Sequence, residues 1–337
     1  MEVEAAPPAR VRTRRVWLRR IATWLIAALA LWFVVRIVPF RDRCDASGCQ
    51  DGLFTTLRGA NVPLLLALFG LHLVGTVAWS ARWRALLGLA KVEVPLPEVW
   101  RITLEAQAGG ILLPGIGGDA LRIAYVRGRA PDAPLAKVLA SVFADRVLGL
   151  VTLAGLSCAA AVSFGAGKLG GALPILASIP VVAVLGWLLL RRPSIARSPL
   201  LTAPGLRAKV IKPILEYAAE EGGPRAMGRG LLLSLVVSAV QLVVVRGLVA
   251  ALGVSPDHEA WITIGTTFAM MVGALPLAPG AWGTTDAAFV FFFGQAGVAP
   301  SVAAAVCLLY RVFWYATGLI GAVSALLRRG SRAAASR

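Results

Sequence analysis

The sequence predicts an all-α, polytopic membrane protein with inverted structural repeats and two opposed re-entrant broken-helix hairpins. Three observations carry that prediction. First, 58% of the 337 residues are hydrophobic and only 15% are charged, against about 25% charged in an ordinary soluble domain; the mean hydropathy is +0.76. Second, the apolar residues fall in blocks long enough to cross about 30 Å of hydrocarbon. Backbone facing lipid must satisfy its own hydrogen bonds, so these blocks are helices; they are too long and continuous for barrel strands. Third, Pro114-Gly-Ile-Gly-Gly118 and Pro279-Gly-Ala-Trp-Gly283 interrupt apolar runs 165 residues apart. An acid follows each, Asp119 and Asp286, and two arginines within apolar segments, Arg146 and Arg311, are also 165 residues apart. Paired interruptions in the two halves of a membrane protein point to a transporter-like binding site.

Positive charge orders the elements, because Lys and Arg mark the cytoplasmic side. Arg10, Arg12, Arg14, Arg15, Arg19 and Arg20 place the N-terminus inside. A first span follows at 17–38, too long for a removable signal sequence and without a small-residue cleavage site. The loop 39–61 is then outside. A second span, 62–80, returns to the cytoplasm at Arg82, Arg84 and Lys91. The run 99–113 breaks at Pro114-Gly115 and resumes over 119–126, with Arg122, Arg127, Arg129 and Lys137 as the basic marks after the break. Both ends of this unit are basic, so a hairpin entering and leaving on the cytoplasmic side is expected. Such irregular backbone is tolerated only where protein or a wet cavity covers it.

A third span, 138–163, goes out, and a fourth, 172–190, comes back. The segment 191–229 carries eight Lys or Arg, the strongest cytoplasmic mark in the chain. Within it, 206–219 is either a surface amphipathic helix or a solvated linker. A fifth span, 230–252, goes out to a loop containing Asp257 and Glu259. The run 261–277 breaks at Pro279-Gly280 and resumes through Asp286 to Phe293, a second hairpin entered from outside. A sixth span, 298–327, leads to a basic cytoplasmic tail. Residues 1–337 thus form a single integral membrane domain. Residues 62–163 are the first inverted repeat, 164–229 the fourth span and basic linker, and 230–327 the second repeat. Both termini are cytoplasmic.

The candidate substrate-binding residues are Pro114, Gly115, Gly117, Gly118, Asp119 and Arg146 from the first half. Pro279, Gly280, Gly283, Asp286 and Arg311 supply the second. Glycines permit close backbone approach, prolines remove a donor, and a broken helix presents free N–H groups that bind phosphate. An acid just past a break either caps amides or holds a cation, the cationic part of a substrate, or a relayed proton. Arginine suits bidentate contact with phosphate, although Arg146 and Arg311 could also snorkel, and Asp145 offers Arg146 a competing ion pair. Glu105 is a further cavity candidate, with Arg101 one turn away as an ordinary partner. Cys44 and Cys49 are spaced for a small disulfide in the external loop. Cys158 and Cys307 read as buried apolar residues. His72 and His258 stand alone and support no metal site, no Gly-rich nucleotide loop with a lysine occurs, and no cofactor is expected. The net charge of +17 sits at span ends, which excludes nucleic acid as its explanation and favours anionic lipid at the cytoplasmic face.

Leu112-Leu-Pro-Gly-Ile-Gly-Gly-Asp-Ala-Leu-Arg122, then Asp145-Arg146, and later Leu277-Ala-Pro-Gly-Ala-Trp-Gly-Thr-Thr-Asp286 followed by Arg311 resemble the family named for the transmembrane region of lysylphosphatidylglycerol synthase. The resemblance spans roughly residues 17–327 and implies the inner membrane of a prokaryote. Family members usually carry Glu at the position of Asp286 and Gly at that of Trp282; the first change shortens the acid's reach, the second removes backbone freedom and narrows a passage. The resemblance implies flipping of an anionic or zwitterionic lipid between leaflets, either a phospholipid or a polyprenyl-phosphate-linked lipid. No aminoacyl-transferring domain, and hence no lysyl transfer, is expected. The partners implied are membrane lipids with a phosphate-containing headgroup, a second copy of the chain, or a membrane enzyme. Two alternatives remain at this level: a membrane-embedded lipid-phosphate transferase, which would need a nucleophile–base pair, and an accessory scaffold, which would need no polar interior.

Overall fold

In the computed structural model, residues 24–45, 48–112, 117–163, 214–255, 259–274 and 281–335 are described. The fourth span and the residues Pro114, Gly115, Pro279 and Gly280 lie outside them, as do Asp257, His258 and the part of 206–219 before residue 214. The elements are α1 (Trp24–Ile37), β1 (Arg43–Asp45), β2 (Gly48–Gln50), α2 (Leu53–Arg58), α3 (Val62–Leu89), α4 (Leu96–Leu112), α5 (Gly117–Arg129) and α6 (Leu135–Ser163). Then come α7 (214–219), α8 (Gly223–Ala251), α9 (Glu259–Ala274), α10 (Thr284–Gln295) and α11 (Pro300–Ala335). Apart from the β1–β2 hairpin, in which Cys44 and Cys49 pair and are disulfide-bonded, the fold is all-α. Among the described residues four helices are long and apolar enough to span a membrane: α3, α6, α8 and α11 over Pro300–Arg328. The chain is a multi-pass membrane protein.

Helices α3 and α8 form the central seam. Leu68 meets the Gly247 position, Gly75 meets Val240, and Leu86 meets the Gly230 position, so the two run antiparallel. Asn61 caps α3 by accepting from the Leu64 N–H at 3.1 Å, and its own N–H donates to the Ala251 carbonyl at the end of α8. A short polar residue satisfies the free first-turn donors there. The seam carries a separate core at each end. At one end Leu68, Val244, Leu248, Ile262, Phe289, Phe293 and Val306 pack together. At the other, Trp83, Leu86, Val99, Ile102, Val126 and Val138 pack with Tyr217. Tyr217 fixes α7 to this end by donating to the Leu86 carbonyl at 3.1 Å, and burial pushes its phenol above the ordinary value.

The broken units sit one in each core. Their four helices have 17, 13, 16 and 12 residues, short of the roughly 20 needed to span. Each pair folds back on itself. In the first, Glu98 reaches Arg129, and the Gly109 position abuts Leu121. In the second, Gly265 abuts Phe292 and Gly273 abuts Thr285. Helix α4 then packs on α11 of the other half, and α9 on α6. The α4–α11 contact depends on glycine: a Cβ on Gly321 would fall 2.2 Å from the Leu104 carbonyl oxygen, closer than any side chain allows.

Candidate functional site

Asp286 is the third residue of α10, directly after the second break. Its Oδ2 accepts from the Gly283 N–H at 2.8 Å, so it caps the helix as an early-turn acid does. The same carboxylate holds Arg311 of α11, whose Nη2 donates to Oδ2 at 2.7 Å and whose Nε donates to Oδ1 at 3.2 Å. Arg311 Nη2 also reaches the Thr285 hydroxyl at 2.7 Å and the Ala281 carbonyl at 3.1 Å. The Trp282 ring lies 4.2 Å from the guanidinium carbon, and the buried Cys307 thiol donates to Asp286 at 2.8 Å. Gly283 has φ +78°, and a Cβ there would strike the backbone of Ala27 and Leu31 in α1. The turn therefore needs glycine both for its angle and for the helix against it.

Asp119 is likewise the third residue of α5, after the first break. Arg146 of α6 donates to its Oδ2 from Nε at 2.6 Å. Arg146 Nη1 also donates to the Ala274 carbonyl at 3.3 Å. Ala274 and Ala281 flank the segment 275–280, so the two predicted arginines attach to opposite sides of the second break. In each half an arginine on the following long helix thus pairs with the acid. Gly117 and Gly118 open α5, and a Cβ on Gly118 would fall 2.7 Å from the Ala106 carbonyl.

Asp145 does not take Arg146, since neighbouring positions on a helix point apart. It is 1% exposed and turns to α3 and α5. Its Oδ1 accepts from Arg82 Nε at 2.6 Å; Oδ2 accepts from Trp79 Nε1 at 2.9 Å and from Arg122 Nη1 at 3.4 Å. Arg82 Nη1 continues to Ser234 of α8 at 3.0 Å, and the Arg122 guanidinium sits over the rings of Trp79 and Trp83. Charge counting treated Arg82 and Arg122 as solvated markers of a cytoplasmic end. Both are buried, and α3 runs past residue 80 to Leu89 because Arg82 has an internal partner. A lone acid in mid-span should have been the clue, since Asp145 requires cations from neighbouring helices. Glu105 is also buried; Arg328 of α11 binds it at 2.5 Å, while Arg101 stands 3.9 Å away. Arg246 pairs with Glu259, and His72 packs among Phe69, Tyr310, Phe313 and Trp314. Among the described residues no group of His, Cys, Asp or Glu is placed to hold a metal.

The motifs that carry these pairs lie inside a family match. Residues 50–321 match the family described as the lysylphosphatidylglycerol synthase TM region. The chain belongs to that family. What it matches is the membrane region of the synthase, the part to which this fold corresponds. It is also 29% identical to the glycosyltransferase AglD of Haloferax volcanii, across 94% of this chain and 55% of that protein. It therefore spans little more than half of that relative's length. Two UPF0104 membrane proteins of Methanothermobacter thermautotrophicus are 25% and 24% identical, over 90% and 86% of this chain and 93% and 90% of their own lengths. Asp286 reaches Arg311 with the shorter of the two acidic side chains, and Trp282 lies across the guanidinium.

Proposed function

We propose that this chain moves a lipid with a phosphate-bearing, anionic or zwitterionic headgroup between leaflets. The observation that supports this most directly is the repetition of one charged device. An acid in the third position after a helix break holds an arginine on the next long helix, once in each half. Two short antiparallel pairs, each packed on the long helix of the other half, fit opposed re-entrant hairpins in inverted repeats, 62–163 and 230–327. Such breaks meet at a site near the membrane midplane, where free helix ends and arginines receive a headgroup while acyl or prenyl chains stay in lipid. In this reading Pro114, Gly115, Gly117, Gly118, Asp119 and Arg146 line one side. Pro279, Gly280, Gly283, Asp286 and Arg311 line the other. Family membership supports a general lipid-translocation role.

Purified protein in liposomes should accelerate leaflet exchange of a labelled phospholipid or polyprenyl phosphate. No protein-dependent movement across a broad panel of both would refute the reading. Cysteines placed at positions 128 and 257 test the topology, with six spans and both termini cytoplasmic. Position 128 should react from the cytoplasmic side and position 257 from outside.

A second reading has a specific observation in its favour. The matches include the membrane region of a synthase and a protein named as a glycosyltransferase, so the chain could serve as membrane partner to an enzyme of lipid or cell-envelope assembly. Co-purification with such an enzyme, without lipid movement by either alone, would favour it.

A further inference from the structure

The two Arg–Asp pairs at the breaks are each neutral, but the cluster beside the first is not. Arg82 and Arg122 share the single carboxylate of Asp145, which leaves one positive charge in excess. The three side chains are 7%, 3% and 2% exposed. Asp119 acts on Arg122 electrostatically, but it is already bound by Arg146. Arg122 Nη2 is buried and has no hydrogen-bond partner among the described residues. A buried charge without a counter-ion is costly, and in a membrane protein an ionisable group normally faces a partner or a pathway. Trp79 and Trp83 offset part of that cost through their ring faces but accept no hydrogen bond from Nη2. On α6, Gly149 lies one turn from both Asp145 and Arg146, at i+4 and i+3. At Gly149 the missing side chain leaves open a position 3.5 Å from Arg82 Nη1. Gly149 therefore adjoins both the half-exposed Arg146 and the buried cluster.

We infer that Arg122, with Arg82, completes the headgroup site and selects a phosphodiester, which carries one negative charge, over a phosphomonoester or pyrophosphate. This rests on the lipid-headgroup reading above and names the substrate class for it. A single negative charge brings the cluster to neutrality. A monoester carries about −1.5 to −2 near neutral pH and would leave excess negative charge buried beside Asp145 and Asp119.

The test uses the full chain in a phosphate-free maltoside detergent, titrated with short-chain phosphatidylglycerol, phosphatidic acid of the same chains, diacylglycerol and inorganic phosphate, and followed by thermal shift. The diester should bind about tenfold or more tightly than the monoester, with no shift from diacylglycerol or inorganic phosphate. Arg122→Met should lose diester affinity by about tenfold or more, the scale of a charged hydrogen bond. Its ligand-free melting temperature should not fall, because Arg82 and Asp145 then balance. A purely structural Arg122 predicts the reverse: a lower melting temperature and unchanged affinity. Ser234→Asp keeps both arginines and supplies an internal counter-charge. It should also lose diester binding, and it decides the matter if Arg122→Met does not fold. Equal affinity for monoester and diester, an equal shift with inorganic phosphate alone, or full binding in a folded variant overturns the inference. Arg122-dependent diester binding without leaflet exchange would leave it standing while the translocation reading falls. Exchange that is indifferent to Arg122→Met would do the opposite.

Discussion

The two broken units share a sequence device but differ in how it is enclosed. In both, the third residue after the break is an aspartate held by an arginine on a long helix, at 2.5 Å in the first and 2.7 Å in the second. Their surroundings differ. Arg146 and Asp119 are 41% and 18% exposed, Arg311 and Asp286 only 10% and 14%. The second pair also caps its helix, accepts a hydrogen bond from the Cys307 thiol, and lies under Trp282 and against α1. Burial, rather than contact distance, thus distinguishes the pairs: one is a closed structural joint, the other an open contact, the one the proposed headgroup would compete for. Ion pairs in water contribute little because water screens them, whereas losing one partner of a buried pair strands a charge.

The largest expected effect tests that distinction directly. Arg311→Ala should lower stability by about 3–5 kcal/mol, the cost of stranding a buried carboxylate. Arg146→Ala should cost about 0–1 kcal/mol, since its pair is largely solvent-screened. Unfolding in mixed micelles with increasing SDS measures both, and equal losses would break the comparison. Arg311→Lys is milder. It keeps the charge but cannot reach Asp286, Thr285 and Ala281 together; a stability loss of about 1.5–3 kcal/mol is expected in the same SDS titration, in protein that still folds and inserts. Arg146→Lys, with fewer contacts to lose, should be affected less in that titration.

The clasps differ as well. Helix α4 lies against α11 through Gly321, where backbone meets backbone, while α9 meets α6 through the Ser157 and Thr267 hydroxyls. Gly321→Ala must push α4 off α11 and should cost about 1–3 kcal/mol. Thr267→Val should cost about 0.5–1.5 kcal/mol, one hydrogen bond. Comparable losses in the SDS titration would show that the two clasps are equally rigid.

The breaks, the acids after them and the arginines were legible because each disturbs an otherwise apolar pattern. Helical spacing alone did not say which acid meets which arginine: Asp145 and Arg146 are sequence neighbours, yet they project towards different helices. Nor could a charge count separate a solvated arginine from a buried one. Arg82 and Arg84 look alike in sequence, but Arg82 has Asp145 and Ser234 within reach while Arg84 bonds the Val94 carbonyl. The α4–α11 contact was hidden because Gly318 and Gly321 are two among 35 glycines, and only the opposing backbone gives them meaning.

The smallest predicted effect asks what keeps the second pair closed. Trp282 is itself 42% exposed; it lies over Arg311 and beside Tyr315, so its ring is placed as a cover on the guanidinium. Trp282→Leu removes the ring-face attraction and should cost about 0.5–1 kcal/mol, as at other exposed sites. The more telling readout is chemical access. Phenylglyoxal modification of Arg311, followed by peptide mass spectrometry, should be slow in the wild type and rise in Trp282→Leu towards the rate at Arg146. Arg146 itself should react at an unchanged rate, which controls for general loosening. If Arg311 stays slow in the variant, the shield is α1, whose Ala27, Ala30 and Leu31 press on Gly283. Closure would then come from helix packing, and the aromatic side chain would be a passenger on it.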